Sequence, residues 1–70
     1  MALSMLQPGQ IATIQTITGK EEVKRHLQNL GFVKGESVQI VSENASGLIL
    51  TIKGVRIALN RGLANRILVA

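Results

Sequence analysis

Apolar positions recur with two periods along this chain, and the change of period marks its one substantial helix. Between Lys20 and Leu30, the residues Val23, Leu27 and Leu30 fall at i, i+4 and i+7 on one helical face. Thr18 precedes Glu21 by three residues, the spacing of a capping box in which a hydroxyl and a carboxylate satisfy free N–H groups reciprocally. The pattern therefore predicts a helix over about 20–30, opened by Thr18. Gly31 stands where that helix must end. A left-handed residue there costs glycine no Cβ clash, and Phe32 just beyond it can fold back on Leu27 in a Schellman arrangement.

Elsewhere the period is close to two. Leu48, Leu50 and Ile52 point one way, with Ile49, Thr51 and Lys53 opposite. Val55, Ile57 and Leu59 repeat the inward pattern, while Arg56, Ala58 and Asn60 face out. Alternation also begins at Ser37-Val38-Gln39-Ile40, inside a predicted strand over 36–42. Gln10 to Ile17 is β-branched but alternates imperfectly, which predicts a strand carrying a bulge. Pro8-Gly9 and Lys34-Gly35 mark turns, and 44–47 reads as a loop by composition. Ser4 and Gln7 have the spacing of a second capping box, so a helical turn near the N-terminus would lay Leu3 and Leu6 on the core. Asn60 can cap another helical turn within 60–65, before a last strand containing Ile67 and Val69. The expected architecture is mainly β: five short strands in a small closed barrel without exposed edges, covered by one helix.

Seventy residues allow one domain, 1–70, whose core supplies only about 3–5 kcal/mol of net stability. Hydrophobic residues make up 46% of the chain, more than so small a core can hide. Ile49 and Leu68 lie opposite the inward sets and Leu63 sits in a polar turn, so these three are candidates for an apolar contact surface. No apolar run approaches the roughly 20 residues of a membrane helix, and the N-terminus lacks the features of a signal peptide. The absence of cysteine excludes disulfides and thiolate metal sites and suits a reducing compartment.

Catalytic chemistry is poorly provided for. Without Asp or Cys, neither a Ser-His-Asp triad nor a Cys-His pair can be assembled. Acid–base groups reduce to Glu21, Glu22, Glu36, Glu43 and His26. The reading is a protein that is not an enzyme and needs no cofactor. Glu22 and His26 are four apart on the predicted helix and could present two ligands to one metal. Two ligands fall short of a complete coordination shell, so an ordinary i, i+4 contact is the simpler expectation. The net charge of +4 is spread along the chain. Lys20, Lys24, Arg25 and Lys34 give the helix and its exit a positive outer face, with Glu21–Arg25 an expected ion pair. That face is either merely solvated or a docking surface for an acidic partner, in which Lys24, Arg25 and Gln28 would make the contact. Nucleic acid fits less well, because Phe32 is the only aromatic and is committed to the helix cap. A second copy of the chain is a further candidate partner.

Three segments carry a family likeness. Leu3 to Gly9, LSMLQPG, resembles the opening L-x-x-L-x-x-G of FeoA proteins. Arg25 to Gly35, RHLQNLGFVKG, resembles their central R-x-L-x-x-L-G-x-x-x-G. Gly54 to Leu59, GVRIAL, followed by Ala64 and Ile67-Leu68-Val69, resembles their closing segment. Gly62 departs from the helix-compatible residue usual there. The resemblance implies an SH3-like barrel and a cytoplasmic accessory protein of bacterial ferrous iron uptake. It also implies a partner, the cytoplasmic G-protein portion of the FeoB transporter, which would recruit the protein to the inner face of the membrane. The same domain type closes metal-dependent repressors of the diphtheria toxin repressor class, but these 70 residues hold no winged-helix half. A free regulatory barrel that binds nucleic acid is therefore the alternative, and a metal-binding chaperone is the third reading.

Overall fold

The computed structural model describes residues 1–70. A 3-10 turn at Leu3–Met5 is followed by β1 (Ile11–Ile17), α1 (Glu21–Asn29), β2 (Ser37–Glu43), β3 (Gly47–Ile52), β4 (Val55–Asn60), α2 (Arg61–Ala64) and β5 (Ile67–Val69). All five strands join one antiparallel sheet in the order β4-β3-β2-β1-β5. The expected five-stranded, mainly β architecture is present, with each element within a residue or two of its predicted place. Closure differs from the expectation. No ladder joins β4 to β5, the end strands of the sheet. Instead α2 connects them in the chain and packs on β3, β4 and the N-terminal turn. Residues 1–2 cover the outer edge of β5, where Val69 N–H donates to Met1 O at 2.7 Å and Ala2 pairs with Leu68. The outer edge of β4 has no such cover.

The alternating positions explain the core. Leu48, Leu50 and Ile52 of β3 are buried, as are Val38 and Ile40 of β2 and Leu59 of β4. They meet Ile14, Ile17, Ile67, Val69, Leu3 and Leu6 in one apolar cluster that contains no buried polar side chain. Val55 departs from its predicted inward place and is 57% exposed. It directly follows the Lys53-Gly54 turn, where the end of the hairpin runs beyond the core.

Gly31 ends α1 as predicted. Its φ is +107°, the Phe32 N–H donates to Leu27 O at 3.0 Å, and the Gly31 N–H donates to Gln28 O at 3.0 Å. These are the two bonds of a Schellman motif. Leu27 and Phe32 are both fully buried, so the cap also anchors the helix to the core. A nine-residue helix is marginal alone, and this burial is what holds it.

Three helix expectations are corrected. Lys20, not Thr18, is the N-cap residue, and no side chain caps the helix. Thr18 is held against β5 instead: its N–H and its hydroxyl both donate to Arg66 O. Leu30 is 38% exposed and half-buried Val23 only borders the core, because the chain reverses at Gly31 and carries Leu30 outward. At the N-terminus, the 3-10 turn buries Leu3 and Leu6 as expected, but without a side-chain cap; Ser4 Oγ bonds Asn65 Oδ1. The turn at 60–65 matches its prediction, with Asn60 Oδ1 accepting from Leu63 N–H at 2.8 Å.

Candidate functional site

The regions that could meet a partner are set by where the ladder is irregular. β1 serves two neighbours. Its first half pairs with β2 through Ile11, Ala12 and Thr13, and its second half pairs with β5 through Ile14, Thr16 and Ile17. The register slips between Ile14 and Thr16, so Gln15 is the extra residue of the predicted bulge. Beyond Ile14 the β2 side of β1 is vacated, because the chain has turned away through Val33–Gly35 into the end of α1. A groove results. One depression of about 220 Å³ lies between β1 and α1, lined by Gln15, Thr16, Lys24, Gln28, Val33 and Lys34 among others. A second, of about 520 Å³, continues it past Gln15, Thr16 and Lys34 to Thr13 and Gly35.

Two of the three predicted helix contacts, Lys24 and Gln28, therefore flank this groove, one turn apart on α1. Arg25 is exposed beside them and makes no ion pair. The expected Glu21–Arg25 pair is replaced by Glu21–Lys24 at 4.0 Å, the i, i+3 neighbour at the first turn of the helix. The other acidic partners are also fixed: Glu36 meets Lys53 at 3.7 Å and Glu43 meets Arg61 at 3.5 Å. Lys20, Arg25, Lys34, Arg56 and Arg66 remain without a carboxylate, and Glu22 is the one acid without a cation. The unpaired surface charges are thus five cations against one carboxylate.

Glu22 and His26 are both exposed, and neither a hydrogen bond nor an ion pair joins them. No third histidine or carboxylate converges on them. The i, i+4 contact expected between the two is absent.

The apolar candidates stand on three separate elements. Ile49 lies on the outer face of β3 opposite Ala58 and floors a shallow hollow of about 360 Å³ with Asn44, Ser46 and Asn60. Leu63 is half-buried in α2 and packs against the core. Leu68 is half-buried on β5, between Thr16 and Ala2. Sequence reasoning missed two exposed apolar residues of the sheet, Ile11 on β1 and Val41 on β2, which are 66% and 40% exposed. Val41 is the extra residue of a second register shift, between Ile40 and Ser42. Its signal was the apolar pair Ile40-Val41, which breaks the alternation of β2.

The family model described as the FeoA domain matches residues 1–70. No curated protein matches the chain in sequence. Among solved structures, a crystal structure of an iron uptake regulatory protein (FeoA) superposes with a TM-score of 0.93 at 30% identity, covering 99% of this chain and 93% of that one. FeoA from Stenotrophomonas maltophilia, described as an SH3 domain protein and complexed with zinc, gives 0.88 at 30% identity over 100% of this chain and 89% of its own. A manganese-dependent transcriptional repressor reaches 0.93 at 18% identity, but this chain covers 35% of it, so the likeness is one of fold. The full-length family match and the matching SH3-like barrel establish that this chain belongs to the FeoA family, whose members are associated with ferrous iron transport.

Proposed function

We propose that the protein is a small cytoplasmic accessory of ferrous iron uptake that docks on the cytoplasmic part of a FeoB-like transporter and does no chemistry itself. The observation that carries this reading is the FeoA-domain match over residues 1–70. The surface supports it in two ways. Free cations outnumber free acids, which favours an acidic partner and steers its approach. Arg25 and Gln28 are exposed and Lys24 half-buried beside a groove, while Ile49, Val41 and Ile11 leave apolar side chains at the sheet surface on three different strands. The chain acts as one domain, and recruitment to the inner face of the membrane follows from the partner. No helix is long and apolar enough to cross a membrane. Glu22 and His26 would contribute to metal binding only if a partner supplied further ligands.

The test pairs two measurements on Lys24→Glu/Arg25→Glu. Exposed helix charges contribute about 0.5 kcal/mol or less each, so the thermal melt is expected to stay nearly unchanged. Binding to the soluble domain of the transporter is expected to weaken and to lose much of its salt dependence. Unchanged binding with an unchanged melt would exclude this helix face, and no binding by the unsubstituted protein would overturn the reading itself.

A further inference from the structure

We propose that the groove between β1, α1 and the 33–35 turn receives an extended acidic segment of the partner, laid along the vacated half-edge of β1. This rests on the reading that the protein docks on another molecule and specifies how it does so.

The backbone supplies the first argument. On the β2 side, β1 is bonded only as far as Ile14: Ile14 N–H donates to Glu36 O and Gly35 N–H donates to Ile14 O, both at 2.9 Å. On the β5 side, Thr18 N–H donates to Arg66 O, and Thr16 is opposite Leu68 in the same register. Bonded and non-bonded pairs alternate along an antiparallel ladder. Ile17, opposite Ile67, is therefore a non-bonded pair, and its N–H and C=O point away from β5 toward the groove. An unpaired donor and acceptor at a strand edge are a template for an added strand.

Charge supplies the second. Lys24 and Lys34 line the groove, and no acidic residue lines either depression. Glu21 meets Lys24 at 4.0 Å with a side chain that is 83% exposed, and Glu36, next to Gly35, is engaged by Lys53. The Glu21 contact is weak and readily exchanged for a carboxylate arriving in the groove. Gln15, Thr16 and Gln28 add amide and hydroxyl groups that can bond the same carboxylate or its backbone.

The chemistry of the occupant follows. A second copy of this chain has no acidic strand edge to offer. Its uncovered edge, β4, carries Arg56, and its Glu36 and Glu43 are held by Lys53 and Arg61. A nucleic acid would bring phosphates but would find no stacking platform, because Phe32 is fully buried beneath the groove. An extended peptide with alternating carboxylates matches both the free backbone and the two lysines.

The experiment titrates the isotopically labelled full chain with a ten-residue peptide of alternating Glu and Val, at low salt. The same titration with alternating Lys and Val and with a single-stranded oligonucleotide provides the contrasts. The expected result is shift changes confined to Gln15–Ile17, Lys24, Gln28 and Val33–Gly35, with slowed amide exchange at Ile17. Lys34→Glu, in an exposed turn, is expected to weaken the interaction about tenfold while the spectrum stays folded. Shifts centred on Val55–Asn60, or spread over Lys20 and Arg66, would overturn the proposal, as would tighter binding of the oligonucleotide through the same residues. The transporter's soluble domain separates this proposal from the one beneath it. If that domain binds but leaves Ile17 exchange and the Lys34→Glu affinity unaffected, the groove is excluded and docking stands. If only the acidic peptide binds, through the groove, the groove stands and the transporter is the wrong partner.

Discussion

The β3–β4 hairpin and the β1–α1 crossing are built from the same kinds of residue, yet they behave as opposites. The hairpin pairs six consecutive residues without a slip, from Gly47↔Asn60 to Ile52↔Val55. Its inward positions on β3 are at most 2% exposed. β1, by contrast, divides its length between two neighbours, slips register at Gln15 and opens a groove beside α1. β3 and β4 keep one partner for the whole ladder and stay in register, although the outer edge of β4 is uncovered. β1 changes partner midway and leaves backbone groups unpaired beside a groove lined by two lysines, a combination the β4 edge lacks. The charges divide in the same way. Lys53 and Arg61, at the two ends of the hairpin, are tied to Glu36 and Glu43, whereas Lys34 and Arg25 near the crossing are free.

The strongest way to break this comparison is to strain the hairpin at Gly47. A Cβ there would run into the backbone carbonyl of Leu59 and stand 2.9 Å from Asn60 Cα. The obstacle is backbone, not a flexible side-chain tip, so β3 and β4 must separate or the 44–47 loop must rebuild. Three donors in that loop converge on Asn44 Oδ1, from Ser46 N–H, Ser46 Oγ and Gly47 N–H, which leaves little slack. Gly47→Ala is expected to cost about 3 kcal/mol in a urea melt, the upper part of the range for overpacking. A cost below about 0.5 kcal/mol would mean the hairpin yields as easily as the crossing.

The crossing has one rigid point of its own, the left-handed cap. Gly31→Val places a β-branched residue at φ +107°, which L side chains rarely adopt. Space is not the obstacle there, since the nearest atom to a new Cβ is Lys53 Cδ at 3.8 Å. The expected cost is therefore conformational alone, about 2 kcal/mol, and smaller than that of Gly47→Ala. If the order of the two costs reversed in paired urea melts, the crossing would be the more tightly determined region.

These two glycines also show what could be read from the chain. Gly31 announced itself: an i, i+4, i+7 stripe ended at it, and Phe32 followed in place to complete the cap. Gly47 looked like any glycine in a polar loop, because its constraint comes from Leu59, twelve residues away. The same distinction covers the candidate contact surface. Lys24, Arg25 and Gln28 could be found by helical spacing, since outward positions on a helix follow from the inward ones. The groove they border could not, because it depends on where β2 stops following β1. The bulge in β1 was legible as broken alternation. Its consequence, an unpaired edge facing two lysines, needed the register of both neighbouring strands.

Thr18 gives the smallest and most discriminating effect. By spacing it belongs to α1 as a capping residue, and removing such a cap costs about 1 kcal/mol. In the fold it belongs to β5. Its N–H donates to Arg66 O at 2.7 Å, and its exposed hydroxyl reaches the same oxygen at a longer 3.3 Å. The backbone bond survives substitution, and valine suits the extended conformation at the end of β1. Thr18→Val is therefore expected to cost no more than about 0.5 kcal/mol, the loss of one exposed hydroxyl bond. Amide exchange at the start of α1 should be unchanged, because Lys20 opens the helix without a side-chain cap. A cost near 1 kcal/mol accompanied by faster exchange at Val23 and Lys24 would return Thr18 to the helix. The crossing would then be held at both ends of α1 rather than only at Gly31, and the wall of the groove formed by Lys24 and Gln28 would be as fixed as the β3–β4 hairpin.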